Sequence, residues 1–168
     1  MNVSSDVGKG TTFFIHLPAQ DETIEIGTTE EEAGDLPRGN GECILLVDDE
    51  ASILKVTSKT LMAYGYRVLT AANGAKAVAV FAQHQDDIAL VLTDMMMPVM
   101  DGPAAIRALM RIRPEVKIIG ASGLTSKGVL ERANLPGVKH FIAKPYSASA
   151  LLKIVQSCLS NGAKKERT

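Results

Sequence analysis

The chain has 168 residues, 46% of them hydrophobic and 22% charged, with 18 Lys and Arg against 19 Asp and Glu. That length and apolar fraction suit one compact domain with appendages, and the formal net charge of -1 lacks the basic bias of a nucleic-acid binder. Apolar runs such as Cys43–Val47 and Ile88–Leu92 are too short to span a bilayer, and the N-terminus lacks the layout of a signal peptide, so the expectation is a cytoplasmic protein whose two cysteines, Cys43 and Cys158, are buried and reduced.

Charge is unevenly spread. Residues 1–40 carry eight acidic and two basic residues, whereas 41–160 carry ten acidic and thirteen basic. The acidic density peaks between Asp21 and Asp35, among Thr28, Thr29, Gly34, Pro37 and Gly39-Asn40-Gly41. Such a segment cannot bury enough apolar surface to order itself, and residues 19–40 read as an acidic flexible linker. The last eight residues, 161–168, read as a disordered tail.

From Gly41 onward the pattern becomes regular. Apolar runs of strand length recur at Cys43–Val47, Tyr66–Leu69, Ile88–Leu92, Val116–Ile119 and Val138–Ile142. They are near-continuous, as expected for strands covered on both faces of a parallel sheet. Helical segments alternate with them. Ala51–Tyr64 ends at Gly65, and Ala75–His84 follows a capping Asn73. Gly102–Ile112 carries Ile106, Leu109 and Met110 on one face and stops at Arg113-Pro114. Ser126–Ala133 is weakly patterned around Gly128, and Ala148–Leu159 follows Ser147. Five strands alternating with five helices over residues 41–160 imply an α/β fold, a doubly wound parallel sheet with helices on both faces.

In such a sheet, ligands bind beyond the carboxyl ends of the strands. The first strand ends in Asp48-Asp49-Glu50, the third in Asp94, the fourth in Ala121-Ser122-Gly123 and the fifth in Lys144-Pro145. Taken singly, each group has a plainer explanation, as helix cap, loop residue or solvated lysine. Together they place three carboxylates at one edge, facing a hydroxyl and an ammonium. The repulsion among them favours a proton or a hard divalent cation with oxygen ligands, Mg²⁺ above all.

On these residues the segment 41–160 resembles the receiver (response-regulator) domain of two-component signalling. The match rests on Ile44-Leu45-Leu46-Val47-Asp48-Asp49-Glu50, on Leu92-Thr93-Asp94-Met95-Met96-Met97-Pro98-Val99-Met100-Asp101-Gly102, on Ala121-Ser122-Gly123 and on Phe141-Ile142-Ala143-Lys144-Pro145. The resemblance implies a flavodoxin-like fold with strand order 2-1-3-4-5. It also implies that Asp94 is the phosphoacceptor, a carboxylate nucleophile that takes phosphate from phosphohistidine. Asp49 and Asp94 would ligate Mg²⁺ with the backbone carbonyl of Met96, Asp48 acting through a metal-bound water. Lys144 and Ser122 would contact phosphoryl oxygens, and Phe141 stands at an aromatic switch position. Met96 and Leu124 would flank the path of an attacking water and, being apolar, lengthen the life of the acyl phosphate. Two features stand apart from the family pattern: Gly123 where many receivers have Ala, and the apolar run Met95-Met96-Met97, which reads as a docking surface at the site mouth.

The stretch Val7-Gly8-Lys9-Gly10-Thr11-Thr12-Phe13-Phe14-Ile15-His16-Leu17-Pro18 looks like the end of the ATP-binding domain of a histidine kinase, a glycine-rich turn and a last strand. Residues 1–18 would then be a remnant of that domain, without kinase activity or nucleotide binding, joined to a receiver in a hybrid kinase. The partners implied are a histidine-kinase phosphodonor domain and a histidine-phosphotransfer protein, with no nucleic acid and no membrane contact. The alternatives are a haloacid-dehalogenase-like phosphohydrolase, which would want a second Asp where Met96 stands, and an interaction module with a degenerate site.

Overall fold

A computed structural model describes residues 2–15, 36–123, 138 and 140–160. The segment Ser126–Ala133, Leu124, His16, Leu17, most of the acidic stretch and the tail after Ser160 lie outside the described residues. The chain divides into two compact units, Met1–Ala33 and Gly34–Thr168.

The described part of the first unit is an antiparallel hairpin of β1 (Asn2–Asp6) and β2 (Gly10–Phe14). Gly8 and Gly10 take φ of 81° and 101° at the reversal, where a side chain would be strained. Phe13 lies opposite Val3, Ser5 shares a 2.8 Å hydroxyl hydrogen bond with Thr11, and all ten strand residues are exposed. The sequence pattern announces only the second strand, because Asn2–Asp6 contains a single apolar residue and shows no alternation.

The second unit runs β3 (Cys43–Val47), α1 (Ala51–Ala63), β4 (Arg67–Ala71), α2 (Gly74–Gln83), β5 (Ile88–Asp94), α3 (Gly102–Ile112), β6 (Ile118–Gly123), β7 (His140–Lys144) and α4 (Ala148–Ser160). Its five strands are all parallel, in the order β4-β3-β5-β6-β7. This is the doubly wound arrangement that the alternating pattern implies, with the strand order of the resemblance.

Successive residues of a strand face opposite ways, so each continuous apolar run feeds two cores. Leu45, Val47, Val91 and Ile118 pack with Ala77 and Phe81 of α2 and Ile106 and Leu109 of α3. Ile44, Leu46, Leu90, Leu92 and Ile119 pack with Leu61 of α1 and Leu151, Leu152 and Val155 of α4. Each fully buried side chain of this size contributes roughly 1.5–3 kcal/mol. Cys43 and Cys158 are free and buried, and burial pushes both thiols above their ordinary pKa. Among the described residues, no helix is long and apolar enough to cross a membrane.

Strand ends depart from the apolar runs. β5 continues through Thr93 and Asp94, which pair with Gly120 and Ala121, and β7 reaches Lys144, paired with Gly123. Hydropathy marks burial, whereas the ladder extends as long as backbone partners exist.

The ordered unit also begins before Gly41. The Gly39 amide donates to Tyr64 O at 2.8 Å and the Gly41 amide to Gly65 O at 2.9 Å. The Arg67 amide donates to Glu42 O, and Arg67 Nε to Gly41 O, both at 3.0 Å. Leu36 packs on the core that contains Tyr66, and the Arg38 guanidinium lies 5.5 Å from the centre of the Tyr64 ring. Gly65, at φ 89°, lets Gly39 O approach to where a Cβ would sit 2.6 Å away. Residues 36–42 are thus a strap along the start of the sheet, which shortens the expected 19–40 linker at its C-terminal end.

Candidate functional site

The site gathers at the C-terminal ends of β3, β5, β6 and β7. Asp48 follows β3 directly and is 3% exposed, and Asp94 closes β5 at 9%. Lys144, the last residue of β7, donates from Nζ to Asp48 Oδ2 at 2.6 Å and to Asp94 Oδ2 at 2.9 Å. The remaining carboxylate oxygens are also engaged. Asp48 Oδ1 accepts from the Glu50 amide at 2.9 Å, and Asp94 Oδ1 accepts from the Met96 amide at 3.2 Å. Backbone donors of this kind fix the direction in which each carboxylate points.

Asp49 is exposed, yet it offers a carboxylate oxygen within 4.8 Å of those of Asp48 and Asp94. Three carboxylates face one ammonium, so the group keeps excess negative charge. Its donors are all oxygens and one member opens to solvent, which fits a hard divalent ion such as Mg²⁺ that retains waters. Burial by itself would lower the pKa of Lys144. The hydrogen bonds it donates to Asp48 and Asp94, and the charges of those carboxylates, outweigh that effect, and the net shift is upward from 10.5.

Ser122, on β6, is buried at 7% exposure. Phe141, on β7, is 38% exposed, with its ring laid over Gly120, where a Cβ would sit 2.6 Å from a ring carbon. The methionine run does not form a continuous docking surface. Met95 is fully buried and Met97 nearly so, whereas Met96 is 63% exposed. Met95 belongs to the core beneath the sheet, and only Met96 reaches the mouth. Leu124 falls outside the described residues. Three glycines, Gly74, Gly102 and Gly120, matter because of what stands against them, and of these the sequence motifs include only Gly102. The local sequence carries no signal of such contacts.

The family of response regulator receiver domains matches residues 44–156. Chemotaxis protein CheY of Bacillus subtilis (strain 168) is 34% identical over 118 residues, covering 70% of this chain and 97% of CheY. Sensor kinase CckA of Brucella abortus (strain 2308) is 32% identical over 163 residues, covering 92% of this chain and 17% of CckA; the chain thus spans about a sixth of that relative's length. Among solved structures, the CheX–CheY–BeF3–Mg²⁺ complex from Borrelia burgdorferi contains a chain that superposes with a TM-score of 0.64 at 29% identity, over 68% of this chain and 87% of that one. The acidic group at the strand ends therefore sits in a protein that belongs to the response regulator receiver family.

Proposed function

We propose that this chain is a Mg²⁺-dependent phosphoacceptor that takes a phosphoryl group from phosphohistidine onto Asp94 within a hybrid histidine kinase. The observation that carries the reading is the double hydrogen bond of Lys144 to Asp48 and Asp94, beside an Asp49 whose carboxylate lies within reach of both. Asp94 Oδ attacks phosphorus, the new P–O bond forms as the P–N bond breaks, and the imidazole leaves with the electron pair. Lys144, already on Asp94, meets the negative charge of the arriving phosphoryl oxygens, and Ser122 on the neighbouring strand donates to another. Asp48, Asp49 and Asp94, with the backbone carbonyl of Met96, would hold Mg²⁺, whose chemistry when bound is neutralisation of phosphoryl charge. The Borrelia burgdorferi CheY complex, which contains BeF3 and Mg²⁺, supports that cofactor.

The hybrid-kinase setting is supported by the extent of the CckA similarity. It covers 92% of this chain, while the receiver family accounts for residues 44–156 alone, so it reaches into the N-terminal segment. That segment carries the glycine-rich turn and strand that look like the end of a kinase ATP-binding domain. The expected partners are a histidine-kinase phosphodonor domain and a histidine-phosphotransfer protein, in the cytoplasm.

Incubation with acetyl phosphate and Mg²⁺, followed by intact-mass measurement, tests the reading. One phosphoryl group should appear in the parent, and none in Asp94→Asn or after chelation of the metal. An undiminished mass gain in Asp94→Asn would overturn the assignment of the acceptor.

A further inference from the structure

The loop that follows Asp94, residues 95–101, is gripped at two points by the first residues of two helices. Gly74 opens α2 and Gly102 opens α3. The Gly74 amide donates to Met100 O and the Gly102 amide to Met95 O, each at 3.3 Å. A Cβ on Gly74 would lie 2.7 Å from both Met100 O and Met100 Cγ, and 2.9 Å from Ala105 Cβ. A Cβ on Gly102 would lie 2.5 Å from Asp94 O and 2.7 Å from Met95 Cα. Most of these neighbours are backbone atoms, which cannot swing aside.

Neither glycine has a positive φ, so conformational freedom does not account for them. In a helix interior Gly is about 1 kcal/mol worse than Ala. Both helix starts are otherwise well made, with Asn73 Oδ1 accepting from the Lys76 amide at 2.9 Å and Asp101 Oδ1 from the Ala104 amide at 2.8 Å. What the missing side chains provide is close approach. Within the loop, Val99 is held at φ 71° and is 87% exposed. That conformation is strained for a β-branched residue and persists only where its surroundings impose it.

We propose that Gly74 and Gly102 are positioning residues for phosphoryl transfer. Together they clamp the loop between Asp94 and α3, and so set the backbone from which Asp94 and Met96 address the metal and the phosphoryl group. The inference rests on Asp94 being the phosphoacceptor. It goes further in assigning part of the site's geometry to a helix start, that of α2, which contributes no side chain to the chemistry.

The test uses the full chain with Gly74→Ala and Gly102→Ala, alongside Leu61→Ala, which opens the opposite core, under α1, where no residue of the loop packs. Mg²⁺ affinity is read by calorimetry. The rate of phosphorylation by acetyl phosphate at saturating Mg²⁺ is read by intact mass. Each glycine variant should lose about tenfold or more in rate, the scale on which small misplacements act, and should bind Mg²⁺ more weakly. Leu61→Ala should melt earlier while keeping the parent's Mg²⁺ affinity. Should a glycine variant not fold, Met100→Ala removes the Cγ beside Gly74 without any clash, and a loosened clamp should again weaken Mg²⁺ binding. Parent-like Mg²⁺ affinity and rate in the folded variants would overturn the clamp while leaving the acceptor assignment intact. A parent chain that takes up no phosphate would instead remove the functional reading on which the clamp depends.

Discussion

Lys144 holds a single positive charge against two carboxylates that are almost wholly out of water. Its pKa is raised in the folded state. The stabilisation it contributes is therefore fully present below the unfolded value of 10.5 and is lost only as pH climbs through the folded one, so the bridge is intact throughout the neutral range. Removing the ammonium leaves Asp48 and Asp94 facing each other without their shared counter-charge. Lys144→Met in metal-free buffer should lose about 3 kcal/mol at neutral pH, the cost of stripping one partner from a buried pair. The loss should shrink on addition of Mg²⁺, which supplies the missing positive charge. Thermal melts with and without chelator check this, and a loss indifferent to the metal would mean that the carboxylates are not coupled. At this scale the acidic group and Lys144 are legible in the sequence, because strand-end position alone brings them together. Which methionine of the 95–97 run is exposed is not legible, since a loop has no period to read.

Among the elements, α3 is the one most fully specified by local chemistry. Asp101 caps it, Pro103 stands in its first turn and Ile106 and Leu109 face the core. Asp101→Ala should cost about 1 kcal/mol, whereas Asp101→Asn, which keeps the accepting oxygen, should cost much less. Denaturant midpoints with a constant slope measure the difference, and equal losses in the two variants would show that the cap is not what Asp101 supplies. Gly102–Ile112 coincides with the span its pattern announces, since capping and stop signals lie at both ends. Cys43–Val47 coincides with its apolar run, whereas the other four strands of the sheet end two to four residues later than expected, because pairing continues through positions such as Thr93, Asp94 and Lys144, where hydropathy has already fallen. β1 stays hidden for the related reason that Asn2–Asp6 is exposed on both faces.

For the whole molecule, the strap at residues 36–42 decides where the receiver begins. Composition marks this stretch as linker, because its attachment depends on backbone groups and on the close approach of Gly39 to Gly65. Neither has a signature in hydropathy. A chain starting at Gly34 should be more stable than one starting at Cys43, which forfeits four hydrogen bonds to the Tyr64–Arg67 segment. At about 1 kcal/mol net for each bond, less what water restores, the gap should be roughly 2–3 kcal/mol. Both chains should take phosphate equally well, and equal denaturation midpoints would show that the strap contributes nothing.

The strap enters where β3 and β4 begin, and the acidic group lies where β3 ends. At a rise of about 3.3 Å per residue, the length of β3 and its flanks puts some 20 Å between them. A pull applied at residue 36 would thus be received at the end of the sheet away from the acidic group. It is carried as shear by the hydrogen bonds joining β3 to β4 and β5. A load entering through the strap would meet the start of the sheet first, with Asp94 and Lys144 at its opposite end.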